Sequence, residues 1–147
     1  MSKYIVLVLI TFLNSINLMI NANEKHLVIG ICSYNNKNWY EKNLKSVFSQ
    51  NYENFRVIYI DDNSPDGTGD LVENYLKVHN LENRVTLIKN KTRKNLGANH
   101  YNIIHSSYDD EIIVILDGDD WFAHNNVLQK VNEVYQDDNI WMSFGTK

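Results

Sequence analysis

Phe55-Arg56-Val57-Ile58-Tyr59-Ile60 runs straight into Asp61-Asp62-Asn63-Ser64-Pro65-Asp66-Gly67-Thr68-Gly69. The first part is β-branched and aromatic, the composition of a buried strand. The second is a cluster of turn formers. Leu71, Val72, Tyr75 and Leu76 then recur at helical spacing. Strand, acidic turn and helix follow one another within a short stretch, and the same alternation continues on both sides. Upstream, His26 to Cys32 is a short apolar strand. It leads through Ser33-Tyr34-Asn35-Asn36 to a helical stripe of Tyr40, Leu44, Val47 and Phe48. Downstream, Val85 to Ile88 precedes the loop Asn90 to Leu96. The spacing there predicts a helix over Gly97 to Ser106, with Ala98, Tyr101 and Ile104 inward. Glu111 to Leu116 is the most apolar strand. Asp117-Gly118-Asp119-Asp120 follows it, then a helix carrying Val127, Leu128, Val131, Val134 and Tyr135. Ile140 to Phe144 reads as a fifth strand. Strands alternating with helices of this length predict an α/β fold: a Rossmann-like, mostly parallel sheet with helices on both faces.

The composition limits what such a domain can do. The chain has 147 residues, 44% hydrophobic and 22% charged, which fits one globular domain and excludes disordered and fibrous classes. A net charge of -4 leaves no basic excess to neutralise phosphates, so a nucleic-acid partner is not expected. Cys32 is the single cysteine, which rules out an intramolecular disulfide and a four-cysteine zinc site. Asn is heavily over-represented, a compositional bias that carries no functional weight by itself.

The N-terminus reads as a separate object. Lys3 precedes the apolar run Tyr4 to Leu13, and Ile20-Asn21-Ala22 offers a small-residue cleavage site. That order is that of a secretory signal peptide. The uninterrupted run is about half the ~20 residues a membrane-spanning helix needs. Ile16, Leu18, Met19 and Ile20 extend the apolar character, so an uncleaved anchor is the second reading and a buried first strand the third. Residues 1–22 are thus expected to be a signal peptide or membrane anchor. The protein would then belong to the secretory pathway or cell envelope, with membrane association through this segment. The domain proper occupies 23–147.

In a sheet of this kind, sites gather in the loops at the carboxyl ends of the strands, where strand order reverses. Two of these loops carry paired acids, and the third holds Lys91, Arg93 and Lys94. Acids for a divalent cation and bases facing the same cleft suit a nucleoside diphosphate and its metal. The loop after the first strand lacks G-x-G-x-x-G, and no G-x-x-x-x-G-K-[ST] occurs, so a dinucleotide site and a P-loop are excluded. Asp62, Ser64, Asp66, Gly67, Asp70 and Glu73 match the offsets of an EF-hand loop. An EF-hand needs a preceding helix, and here a strand precedes. The simpler reading is a turn and a helix capped by Asp66 or Thr68.

From Leu27 to about Phe144 the chain resembles the nucleotide-binding half of family 2 glycosyltransferases of the GT-A fold. The segments that carry the resemblance are Ile31 to Asn36, Leu44 to Tyr52, Val57 to Thr68, Asn95-Leu96-Gly97-Ala98 and Ile115 to Trp121, in the family's order. The resemblance implies that Tyr34 flanks a uracil-type base, with Cys32 and Ser33 lining its pocket. Asp62 would hydrogen-bond the base and Asp61 support that loop, while Arg93 or Lys94 would face base or phosphates. Asp117 would contact the ribose. Asp119, with Asp120 as partner, would bind Mg or Mn bridging the diphosphate of a UDP-type sugar donor. The acceptor would be a hydroxyl of a glycan, lipid or protein. His124 stands where the family often has Pro. No residue up to Lys147 can be assigned as the general base, so the domain is expected to be incomplete at its C-terminal side. The alternative is a non-catalytic or degenerate nucleotide-sugar-binding module. His124, Asp137 and Asp138 are the acid–base groups to re-examine if the chain transfers sugar by itself.

Overall fold

The computed structural model describes residues 24–145. Residues 1–22, expected from the sequence to be a signal peptide or anchor, lie outside the described residues. Among the described residues no helix is long and apolar enough to cross a membrane.

Strands β1 (His26–Ser33), β2 (Phe55–Asp61), β3 (Val85–Lys89) and β4 (Glu111–Asp117) alternate with helices α1 (Tyr40–Phe48), α2 (Thr68–Val78), α3 (Asn95–His105) and α4 (Val127–Val134). A short 3-10 turn, Glu82–Arg84, leads into β3. The sheet has the order β3-β2-β1-β4. All neighbours run parallel, which fits strands buried on both faces and made of Val, Ile and Leu. The chain builds outward from β1 to β3, then crosses to the far side for β4. The reversal point thus falls between β1 and β4.

Side chains alternate along each strand, so the sheet has two cores. Leu27, Ile29 and Ile31 pack with Val57, Tyr59, Leu44, Val47, Val72, Leu76 and Leu128, beneath α1, α2 and α4. Val28, Cys32, Ile58 and Ile60 face the other way, against Ile103 of α3. This second core is much the smaller, and it corrects the expected face of α3. Ala98 is exposed, as are Tyr101 at 60% and Ile104 at 53%; Asn99 and Ile103 point inward instead. The cause lies in β1. A Cβ on Gly30 would stand 2.7 Å from Ile103, so α3 lies against the bare backbone there along one narrow line and leaves its flanks open.

The expected fifth strand is also corrected. Ile140 to Phe144 forms no strand, and Trp141, Met142 and Phe144 are almost wholly exposed. Apolar residues alone do not make a strand. Among the described residues no sheet edge pairs with this segment.

At the amino ends of the strands an ion cluster ties the sheet together. Arg56 donates from Nε and Nη2 to the two carboxylate oxygens of Glu111, each at 2.8 Å. His26 Nδ1 lies 2.7 Å from Glu111, and the Tyr108 N–H donates to it at 2.7 Å. One carboxylate thereby connects β1, β2 and β4.

The Asn-rich composition acquires a structural use. Every described non-glycine residue with positive φ is an asparagine: Asn35, Asn63, Asn80 and Asn95, at 55° to 66°. Asn tolerates the left-handed region better than other side chains. Asn35 and Asn63 lie in the loops beyond β1 and β2, and Asn95 opens α3 after the loop beyond β3. Asn95→Val is expected to cost about 1–2 kcal/mol of stability by urea unfolding, and Asn95→Gly to be nearly neutral.

Candidate functional site

At the carboxyl ends of the strands the parallel ladder runs on by one residue. Asp62 N–H donates to Ser33 O at 2.8 Å, Asn90 N–H to Asp61 O at 2.9 Å, and Gly118 N–H to Cys32 O at 2.9 Å. The loops therefore leave the sheet at fixed heights. Successive residues at each exit also point to opposite faces. Cys32, Asp62 and Asp117 fall on the α3 side, and Ser33 and Asp61 on the α1–α2 side.

On the α3 side a cavity of about 100 Å³ is lined by Cys32, Ser33, Tyr34, Asp62, Arg93, Asn95, Leu96 and Asn99. This places together five of the expected residues, Cys32, Ser33, Tyr34, Asp62 and Arg93. The Arg93 guanidinium sits 3.8 Å over the Tyr34 ring, a cation–π contact that closes one wall. Larger surface depressions exist, such as one lined by Phe48, Tyr75 and His79, but Cys32, Tyr34, Asp62 and Arg93 line none of these. Cys32 is buried, and its thiol is pushed up to about 12, mainly by burial and further by the charges of Asp117 and Asp62. It is a neutral lining group rather than a nucleophile.

Asp62 is held more firmly than the sequence indicated. Asn90 Nδ2 and the Lys94 N–H donate to its Oδ1, and the Asn95 N–H to its Oδ2, all at 2.8 Å. Burial pushes its carboxyl up, but bonds from Lys94, Asn90 and Asn95 outweigh this and hold it below the usual carboxylate range. The carboxylate thus fastens the β3–α3 loop over the cavity. Lys94 contributes its backbone N–H to this arrangement.

Asp61 points away from the cavity. Its Oδ2 accepts the Ser64 N–H at 3.2 Å and lies 2.8 Å from where a Gly69 Cβ would stand. It supports the turn without lining the cleft. Asp66 caps the turn: its Oδ1 accepts from the Thr68 N–H and hydroxyl, and its Oδ2 from the Lys37 N–H. With Asp62 and Asp66 committed to different loops, the EF-hand pattern has no cation cage. Among the described residues no three His, Cys, Asp or Glu side chains come together as one.

The acidic turn after β4 closes the reversal point. Gly118 packs against the loop after β1, where a Cβ would lie 2.5 Å from Asn36 Nδ2 and 2.8 Å from Ser33 Oγ. No larger residue fits without shifting the turn. Asp117, Asp119 and Asp120 are exposed. The carboxylates of Asp119 and Asp120 take no hydrogen bond or ion pair from the described residues, which leaves hard oxygen donors free in the turn beyond β4. Such a donor set fits Mg or Mn, which take one or two carboxylates and complete their shell with phosphate and water. A divalent ion there would be held by Asp119 with Asp120.

Beyond the expected set, the structure adds Asn43, Asn90 and Asn99. All three are buried polar side chains. Asn43 and Asn99 sit on the buried faces of α1 and α3, beside Leu44 and four residues before Ile103. A polar residue inside an apolar stripe was the signal that could have found them.

Residues 28–146 match the family described as Glycosyl transferase family 2. EpsE of Bacillus subtilis (strain 168), named as a glycosyltransferase, is 35% identical over 95 residues, covering 64% of this chain and 32% of EpsE. An uncharacterized glycosyltransferase of Haemophilus influenzae is 30% identical over 102 residues, covering 69% of this chain and 30% of that protein. The chain thus spans about a third of the length of these relatives. Among solved structures, the mannosyltransferase PcManGT of Pyrobaculum calidifontis, in complex with GDP-Man and Mn2+, superposes with a TM-score of 0.67 at 21% identity, over 74% of this chain and 32% of that one. TarS 1-349 of S. aureus, in complex with UDP-GlcNAc, gives 0.65 at 21% identity, over 76% and 31%. These two likenesses establish the fold. With the family match over most of its length, the chain belongs to glycosyl transferase family 2.

Proposed function

We propose that this domain binds a nucleoside-diphosphate sugar, with a UDP-type donor favoured, and presents it for transfer to an acceptor hydroxyl. The observation that carries the reading is the cavity under Tyr34 and Arg93, at the same carboxyl edge of the sheet as the unpaired carboxylates of the turn after β4, the neighbour of β1. The base lies in that cavity against Tyr34. Asp62 holds the loop that forms its far wall and keeps one face toward the base. Asp117 is turned to the same side and takes the ribose, and Asp119 and Asp120 face the diphosphate. A bound Mg or Mn ion supplies Lewis-acid stabilisation of the leaving diphosphate. The chain's own part is to position the donor and exclude water from the base. GDP-Man and UDP-GlcNAc in the two structural neighbours agree with a nucleotide-sugar donor. The acceptor is a glycan, lipid or protein hydroxyl, and residues 1–22 direct the protein to the secretory pathway or cell envelope.

Titration calorimetry of the full chain with UDP and GDP, each with and without Mn2+, tests the proposal. UDP binding strengthened by Mn2+ is the expected result. Failure of both nucleotides to bind under either condition would overturn it.

A further inference from the structure

Helix α1 grips the segment after β4 with a row of polar side chains. Asn43 Nδ2 donates to Asp117 O at 3.0 Å and to Asp120 O at 2.8 Å. One turn on, Ser46 Oγ accepts the Phe122 N–H at 3.0 Å. A turn beyond that, Gln50 donates to His124 O at 2.8 Å and accepts the Leu128 N–H at 3.1 Å. The row runs along one side of α1 and on to Gln50 just beyond its end, and meets the chain at successive points from the acidic turn to the start of α4.

Asn43 stands out within this row. It is fully buried, yet its Oδ1 has no partner. A buried acceptor left unpaired costs folding free energy, so an apolar residue would suit the core better there. What the amide does accomplish is directional. Both of its donor bonds reach the main chain of the acidic turn, at the first and last of its four residues. They fix the curvature that sends the Asp119 and Asp120 carboxylates outward, while Gly118 lets the turn lie flat on Ser33 and Asn36.

We infer that Asn43 is a positioning residue for the metal-facing carboxylates, retained for the shape of the acidic turn rather than for stability. The inference rests on the proposed nucleotide and metal site. Partners of this kind, one bond removed from the metal ligands, typically change metal affinity about 10–100-fold when lost.

The test uses Asn43→Asp, which keeps the shape of the side chain but removes both donors. Asn43→Ala is the companion, since a carboxylate buried against two carbonyls threatens folding. UDP binding is measured for each with and without Mn2+, and amide hydrogen exchange is followed at Gly118, Asp119 and Asp120. The expected result is a roughly 10–100-fold fall in the strengthening of UDP binding by Mn2+. Metal-free UDP affinity falls by less than this, through the shared Asp117 end of the turn, and exchange in the acidic turn quickens. Equal loss of both affinities would show a general structural role and overturn the inference, as would parent-like Mn2+ dependence in Asn43→Ala. If the parent chain binds no UDP at all, the proposed site itself fails and the inference falls with it. The parent arm therefore separates the two failures.

Discussion

Asp119→Ala removes the Mn2+-dependent part of UDP binding and leaves the thermal midpoint where it was. The two halves of this expected result have separate causes. A divalent ion held by one or two protein carboxylates and by phosphate oxygens loses most of its affinity when one carboxylate goes. Asp119 is exposed and its carboxylate has no partner among the described residues, so its removal breaks nothing in the fold. Surface substitutions of that type stay within about 0.5 kcal/mol. Asp120→Ala should show a smaller loss, because Asp119 still holds the ion. Calorimetry with and without Mn2+, paired with thermal melting of the same samples, reads both quantities. Undiminished Mn2+ dependence in Asp119→Ala would remove this residue from the metal site.

The second large effect lies at the opposite edge of the sheet and concerns stability alone. The Glu111 side chain is 1% exposed and holds Arg56, His26 and the Tyr108 N–H together. Taking one partner from a buried ion pair costs about 3–5 kcal/mol, and the lower end applies here because Arg56 is partly exposed and can rehydrate. Glu111→Ala should therefore unfold at a distinctly lower urea concentration. The pH dependence has a definite sign. The hydrogen bonds from Arg56 hold the Glu111 carboxyl at about 2, below its ordinary 4.5. A depressed carboxyl stabilises the folded state above the unfolded value. That contribution is complete above pH 4.5 and drains away as pH falls toward 2. In Glu111→Gln the acid limb of the stability curve should flatten over this window. An unaltered acid limb would assign the parent's acid sensitivity to other carboxylates.

How far the sequence foretold this molecule depends on which physical signal each part emits. The strands were legible because two-sided burial demands continuous Val, Ile and Leu, and because each ended at turn residues that cannot continue a ladder. The site loops were legible for the same reason. Once a strand ends at Ile60 or Leu116, the acids after it must stand on the sheet edge. The facing of α3 was not legible, since helical spacing assumes a broad apolar contact. Gly30 narrows that contact to a line through Ile103. Ile140 to Phe144 misled for a related reason: apolar residues announce a wish for burial without naming a partner. Asp62 had the right place, but its bonds to Asn90, Lys94 and Asn95 depend on a loop more than twenty residues away in sequence. Asn43 was hidden in the same manner, because its partners are main-chain carbonyls whose direction only the folded turn defines.

The three tryptophans divide into unlike optical environments. Trp39 and Trp121 stack with ring centroids 6.1 Å apart and planes 23° from parallel, and the Lys42 ammonium lies 3.2 Å over the Trp121 ring. Trp141 is 93% exposed. Indoles this close couple their electronic transitions, so the near-ultraviolet circular dichroism of the protein carries a signature of the pair, while Trp141 adds emission typical of an indole in water. Trp39 belongs to the loop after β1, and Trp121 follows the acidic turn directly. The chain thus has a built-in chromophore pair across the reversal point of its sheet. In a Trp141→Phe background, the remaining indole signal reports whether those two loops stand together or apart, without any label.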